Sequence, residues 1–276
     1  SHRSGVPGMN RKKKSLCKES AVSETVGYII IFGIMMTGIA LVTLYGYPLL
    51  LQEQANANIK NMERNMIVLQ NDMNSLTYKN VPYQETMLQV SGGTLQSLDY
   101  TKTPQTFRIY FINNTDILPL FKPGELRFIS NHDDAVISLE NGAVHISYWT
   151  QGGSAMLSEP RWFFDQTNQK NTYIFSFINK TSDSLAQTGI GTVRMKLIED
   201  NRLYQPIDIS GESVILEYNA DPDNNYNVAW RNYFERPDLH LTEYGLSEPY
   251  HRRYLLDTTG TTELVIKEFE IEILSL

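Results

Sequence analysis

A chain of 276 residues, 41% hydrophobic and 20% charged, has room for one or two domains and is too apolar for wholesale disorder. The formal net charge is −7, but residues 1–20 hold six basic groups and one acid, which leaves −12 on the rest. A body that acidic repels phosphate backbones, so nucleic acid is excluded as a partner.

Residues 1–20 read as a basic leader, with Arg3, Arg11, Lys12, Lys13, Lys14 and Lys18 against Glu19. Met9 directly precedes the basic run, and residues 1–8 are expected to lie upstream of the natural start. Cys17 is the only cysteine, so no internal disulfide forms. A basic cluster ahead of an apolar run is an orientation signal: it predicts a cytoplasmic N-terminus and an extracellular C-terminal domain.

From Thr25 to Gln52 no side chain is charged, a run of 28 residues where roughly 20 cross a hydrocarbon core. Pro48 has no N–H to give, so the helix should loosen and bend there. Ile59, Met62, Met66, Leu69, Met73 and Leu76 then recur at spacings of three and four, a heptad seam that Ala55 extends backwards. One helix is therefore predicted over residues 21–80, spanning a membrane at 25–51 and amphipathic over 52–78. The seam fits either the protein's own outer domain or a second subunit. A secretory signal cut at Ala55-Asn56-Ala57 is the competing reading, but its apolar core is too long. Such a cut would also free the amphipathic helix from the segment it extends.

Residues 83–276 read as an extracellular domain of short strands. Candidate strands are 106–113, 125–130, 135–149, 172–179, 192–199, 213–220 and 264–274. In the last, Val265, Phe269, Ile271 and Ile273 alternate with Glu268, Glu270 and Glu272. Asn141-Gly142 splits the 135–149 run as a hairpin turn, because both positions accept positive φ. The fold class is α+β: a long apolar helix followed by an all-β, antiparallel, sandwich-like domain. Residues 221–262 are more polar and read as a loop-like insertion.

Chemistry is sparse. The histidines His2, His132, His145, His240 and His251 form no pair at metal-ligand spacing, and no nucleophile elbow or phosphate loop occurs. Asp221-Pro222-Asp223-Asn224-Asn225 departs from an EF-hand and reads as a solvated turn. No catalytic residue, metal or cofactor is expected. Trp149, Trp162 and Trp230 read as core or rim aromatics. Two sequons, at Asn113 and Asn179, sit where strands are expected to run into turns and are candidate glycan sites. An exported enzyme would need a cleft with clustered, perturbed acids or histidines, and the sequence offers none.

The stretch AVSETVGYIIIFGIMMTGIALV (21–42), behind a lysine-rich leader, resembles the N-terminus of archaeal type IV pilin-like proteins, a class that includes archaellins. The resemblance covers residues 18–47. ENGAVHISYW…GGSAMLSEP is likewise similar to outer domains attached to such N-termini, on a weaker match. The resemblance implies that a prepilin peptidase trims the leader near Ser20, Ala21 and Val22 and leaves the apolar run in place. Many members carry a basic residue just before the cut and a proline where Glu24 stands; here Glu19 and Ser20 come first. Glu24 reads as a first-turn acid that Ser20 or Ser23 could cap. By resemblance to bacterial-type pilins it would instead pair with the α-amino group of a neighbouring subunit during assembly. The resemblance thus implies a non-enzymatic pilin-like surface protein, held in the cell membrane or in a type IV pilus-like filament. Its partners would be membrane lipid, the prepilin peptidase and other pilin subunits. The large outer domain favours a minor pilin. The alternatives are a membrane-anchored binding or adhesion domain that never polymerises, and an exported enzyme.

Overall fold

The computed structural model describes residues 16–79, 81–150, 152–198, 205–246 and 248–276, with side chains described from Glu24 onward. Most of the basic leader, residues 1–15, lies outside them. Helical backbone runs from Leu16 to Tyr78: α1 is Leu16–Leu41, a π turn covers Val42–Gly46, and α2 is Tyr47–Tyr78. The loosening expected at Pro48 takes the form of this π turn, just ahead of the proline. Pro48 cannot donate to the Leu44 carbonyl. The Tyr47 N–H instead reaches the Val42 carbonyl, one residue wider than the α spacing.

The strands are β1 (Tyr83–Leu98), β2 (Thr106–Phe111), β3 (Asp116–Phe121), β4 (Glu125–Ser130) and β5 (Ala135–Glu140). Next come β6 (Ala143–Tyr148), β7 (Gly153–Ser158), β8 (Phe163–Gln166), β9 (Asn171–Ser182) and β10 (Leu185–Leu197). After β11 (Ile207–Asp208) and β12 (Val214–Asn219) a helix intervenes, α3 (Asn227–Phe234), before β13 (Leu241–Glu243), β14 (His251–Leu256) and β15 (Thr262–Ser275). Among the described residues they form two sheets. The larger runs β7-β6-β5-β4-β1-β10-β15-β9-β8, with β11 beside β15, and the smaller runs β13-β14-β12-β2-β3. The fold is thus α+β, a long apolar helix followed by a sandwich-like β-domain.

Contacts divide the chain at Gln54/Ala55 into two compact units. The amphipathic half of the predicted 21–80 helix therefore belongs with the β-domain. Within that second unit the seam residues Ile59, Met62, Met66, Leu69, Met73 and Leu76 are buried in one core with Leu88, Leu126, Phe128, Ile137, Val193 and Ile271. The heptad pattern serves the protein's own sheet. It follows that a cut at Ala57 would leave this helix docked, so the seam carries no weight against such a cut. The length of the uncharged run carries that argument alone.

The opposite face of the large sheet meets the small sheet and α3 in a second core, rich in aromatic rings. Phe107 and Trp230 pack edge to face with centroids 5.0 Å apart, and Trp162 donates its indole N–H to the Ser176 carbonyl at 2.7 Å. Residues 221–262 are no insertion. They supply α3, β13 and β14, and bury Tyr226, Trp230, Tyr233, Phe234, Leu239 and Tyr254.

The Asn141-Gly142 turn forms as predicted, with φ of 46° and 75°. It is also pinned. Gln70 of α2 donates to the Gly142 carbonyl at 2.6 Å and the Glu159 carbonyl at 2.9 Å, and Asn141 Oδ1 accepts from the Ile178 N–H at 2.9 Å. One pairing departs from the antiparallel expectation: β15 lies parallel to β9, from Thr262 beside Asn171 to Ile273 beside Ser182. The chain between them is long enough to return to the same end, which parallel pairing requires. The alternation in β15 holds. Phe269, Ile271 and Ile273 face α2, while on the other face Leu264 and Ile266 are buried and Glu268, Glu270 and Glu272 are half-buried.

Candidate functional site

The first unit presents one surface. From Glu24 to Gln54 every residue except half-buried Gly27 is exposed, including Ile29, Phe32, Ile34, Met35, Ile39 and Leu44. Thr37 and Thr43 return their hydroxyls to the Gly33 and Ile39 carbonyls at 2.7 and 2.9 Å, which removes the unpaired polar groups that hydrocarbon would penalise. This helix is long and apolar enough to cross a membrane. Glu24 stands exposed at its start. Ser20, Ala21 and Val22 fall on helical backbone, and their side chains lie outside the described residues.

The two sequons differ in setting. Asn113 is exposed in the turn after β2, where its Oδ1 accepts the Thr115 N–H at 2.9 Å. Asn179 does not end a strand. It sits inside β9 beside Glu270, half-buried, and its Oδ1 is buried without a partner. Strand β9 runs on to Ser182 because β15 supplies a partner along its length. Asn179 therefore lacks the accessible turn a glycan acceptor needs.

The sequence did not foresee a polar cluster sealed between the sheets. On β4, β5 and β6 one face alternates Glu125, Arg127, Ser138, Glu140 and His145 with apolar residues on the other. Glu125 stands opposite Glu140, Arg127 opposite Ser138, and Ser138 opposite His145. Arg127 grips Glu125 through both carboxylate oxygens, the Nε contact being 2.9 Å. Tyr226 donates its hydroxyl to Glu125 at 2.7 Å and Gln105 its amide at 3.3 Å. Asp221 belongs here too, 3.7 Å from Arg127, and is buried rather than solvated. From β9, buried Lys180 donates to the Gly124 carbonyl at 3.4 Å. His145 stacks on Tyr226 at 5.2 Å. Both Glu140 oxygens and both His145 nitrogens are buried without hydrogen-bond partners.

Burial sets the charge states. Burial alone would raise Glu125, but the Arg127 guanidinium and its other donors hold it below the ordinary carboxylate range. Glu140 has no such grip. Burial, and then repulsion from Glu125, push it up to about 8. Burial pushes Lys180 down to about 8, against the attraction of Glu140 and Glu125, and His145 down to about 3. At neutral pH the site therefore holds a tight Arg127–Glu125 pair beside a protonated Glu140 and a neutral imidazole. Its members come from four strands of the large sheet, the N-terminal cap of α3, and the loops that carry Gln105 and Asp221. Among the described residues, no three His, Cys, Asp or Glu side chains are grouped so as to hold a metal ion.

These charge states make stability depend on pH. Glu140 is raised from 4.5, so its contribution to stability is complete below about 4.5 and is lost as pH rises through about 8. His145 is depressed from 6.5, so its contribution is complete above about 6.5 and is lost as pH falls toward about 3. The two slopes oppose each other between those free values. From about 6.5 to 8 the Glu140 slope dominates, and above about 8 Lys180, depressed from 10.5, contributes a slope of opposite sign. Stability of the full chain in detergent should fall by on the order of 1 kcal/mol between pH 6.5 and 8. Glu140→Gln should flatten that fall, and an unchanged slope in the variant would contradict the assignment.

No solved structure matches the chain. It is 26% identical over 257 aligned positions to an uncharacterized protein of Archaeoglobus fulgidus, a match that covers 78% of this chain and 83% of that one. A family of unknown function, DUF7289, matches residues 21–273, and the chain belongs to that family.

Proposed function

We propose that this protein is a non-enzymatic, pilin-like surface subunit. It is trimmed near Ala21 on the cytoplasmic side and held by residues 25–51 in the membrane or in a filament, with the β-domain outside. One observation carries the reading. The helical chain changes character at Gln54/Ala55: the N-terminal part is apolar and exposed, and the C-terminal part is docked on the β-domain. An exposed apolar surface of that length is stable only in lipid or against like surfaces. The family match takes in the apolar helix together with the β-domain.

Glu24 stands at the start of that surface, where a carboxylate needs a partner once the helix is buried. Pairing with a neighbour's α-amino group would supply it. A second reading, a membrane-anchored binding domain that does not polymerise, is favoured by the seam: its apolar residues are used up on the protein's own sheet, leaving residues 24–51 as the exposed apolar part of the helix. Shearing cells and pelleting the released material decides between the two. The filament reading predicts this protein in the sheared pellet, with a several-fold lower yield for Glu24→Ala. Protein found only in membranes supports the anchored form.

A further inference from the structure

Trp149 is the exposed tryptophan of the described structure, 55% accessible, whereas Trp162 and Trp230 are 3% and 0%. Its place in the fold is set by contacts within the β-domain unit. Strand β6 starts beside Gly142, which Gln70 of α2 holds. It ends at Tyr148, whose hydroxyl lies within electrostatic reach of Lys60. The strand thus advances toward the N-terminal end of the docked helix, and Trp149 follows it in the chain. A second set of contacts agrees. The Trp149 N–H bonds the Asp134 carbonyl at 3.1 Å, in the loop after β4. In the same loop the Asn131 N–H bonds the Gly92 carbonyl at 2.8 Å, and Gly92 lies so close to Asn58 that a Cβ would meet its Nδ2 at 2.7 Å. The end of the domain that carries Tyr148 and Trp149 is therefore the end where the chain arrives from the apolar run.

We infer that Trp149, with Tyr148 beside it, sits in the headgroup layer of the membrane and holds that end of the β-domain against the lipid surface. This rests on the membrane reading above. The uncharged run ends at Gln52 and the β-domain unit begins at Ala55, so chain connectivity alone keeps the receiving end of the domain near the headgroup layer, which is about 5–8 Å deep. Indole and phenol rings are favoured there, because the ring is apolar while the N–H or O–H stays hydrated. More than half of this residue is left uncovered by the domain, and this location gives the exposed part of its ring a favourable environment.

The test uses the full chain reconstituted in phosphatidylcholine vesicles, with lipids brominated near the carbonyl end of the acyl chains as quenchers. Flotation with the vesicles establishes anchoring independently. Floating wild-type protein should lose at least half of its Trp149-dependent emission to the brominated lipid, taken as the difference from Trp149→Phe, and iodide should quench it weakly. If the protein floats but that emission is untouched by the lipid and quenched by iodide, the inference is wrong and the anchor stands. If the protein does not float, both fail.

Discussion

Arg127→Met should destabilise the β-domain by about 3–5 kcal/mol, because it leaves the Glu125 carboxylate buried with only the Tyr226 and Gln105 donors. The cost is the stranded charge, so it should largely vanish when Glu125 is replaced as well. Glu125→Met combined with Arg127→Met should come much closer to wild type, since the pair sits beside an aromatic core that can accept apolar groups. Chemical denaturation of the full chain in detergent measures both. An Arg127→Met variant within about 1 kcal/mol of wild type would mean that the cluster is hydrated or loosely packed.

Two arginines in the middle of the apolar helix, Ile34→Arg with Ile39→Arg, should abolish membrane retention. Each charge costs roughly 2.5–3.5 kcal/mol at the bilayer centre, and the helix supplies no acid within its span to offset them. The same two arginines at Gln52 and Gln54, past the spanning segment 25–51, should leave retention intact. Alkaline extraction of membranes separates the outcomes. Retention of the Ile34→Arg, Ile39→Arg protein would refute a spanning role for this helix.

Local patterns made the helices and hairpins legible. The three-and-four spacing from Ile59 to Leu76 predicts a buried stripe, and each of those residues is buried. The spacing could not name the partner, since one apolar stripe fits a neighbouring subunit or a sheet of the same chain equally well. Asn141-Gly142 announced its turn through backbone chemistry alone. The parallel pairing of β9 with β15 was hidden because it joins segments about 90 residues apart, and neither strand's alternation records the direction of its neighbour.

Helix α3 escaped notice for a different reason. In Asn227–Phe234 the apolar residues Ala229, Trp230, Tyr233 and Phe234 form a helical face, but over two turns only and amid polar neighbours. The buried cluster was the hardest to see. Glu125 and Arg127 alternate with Leu126 and Phe128, as Ser138 and Glu140 do with Ile137 and Leu139, and such alternation ordinarily marks a solvent face. That face is covered by α3 and by strand β12, about 90 residues farther along the chain.

The most direct measurement is the intact mass and N-terminal sequence of the protein recovered from separated membrane and soluble fractions of the cells that make it. The account predicts a membrane-bound species that begins near Ala21 and keeps the stretch from Thr25 to Leu51. A dissolved species beginning near Asn58, with none in the membrane, would contradict it.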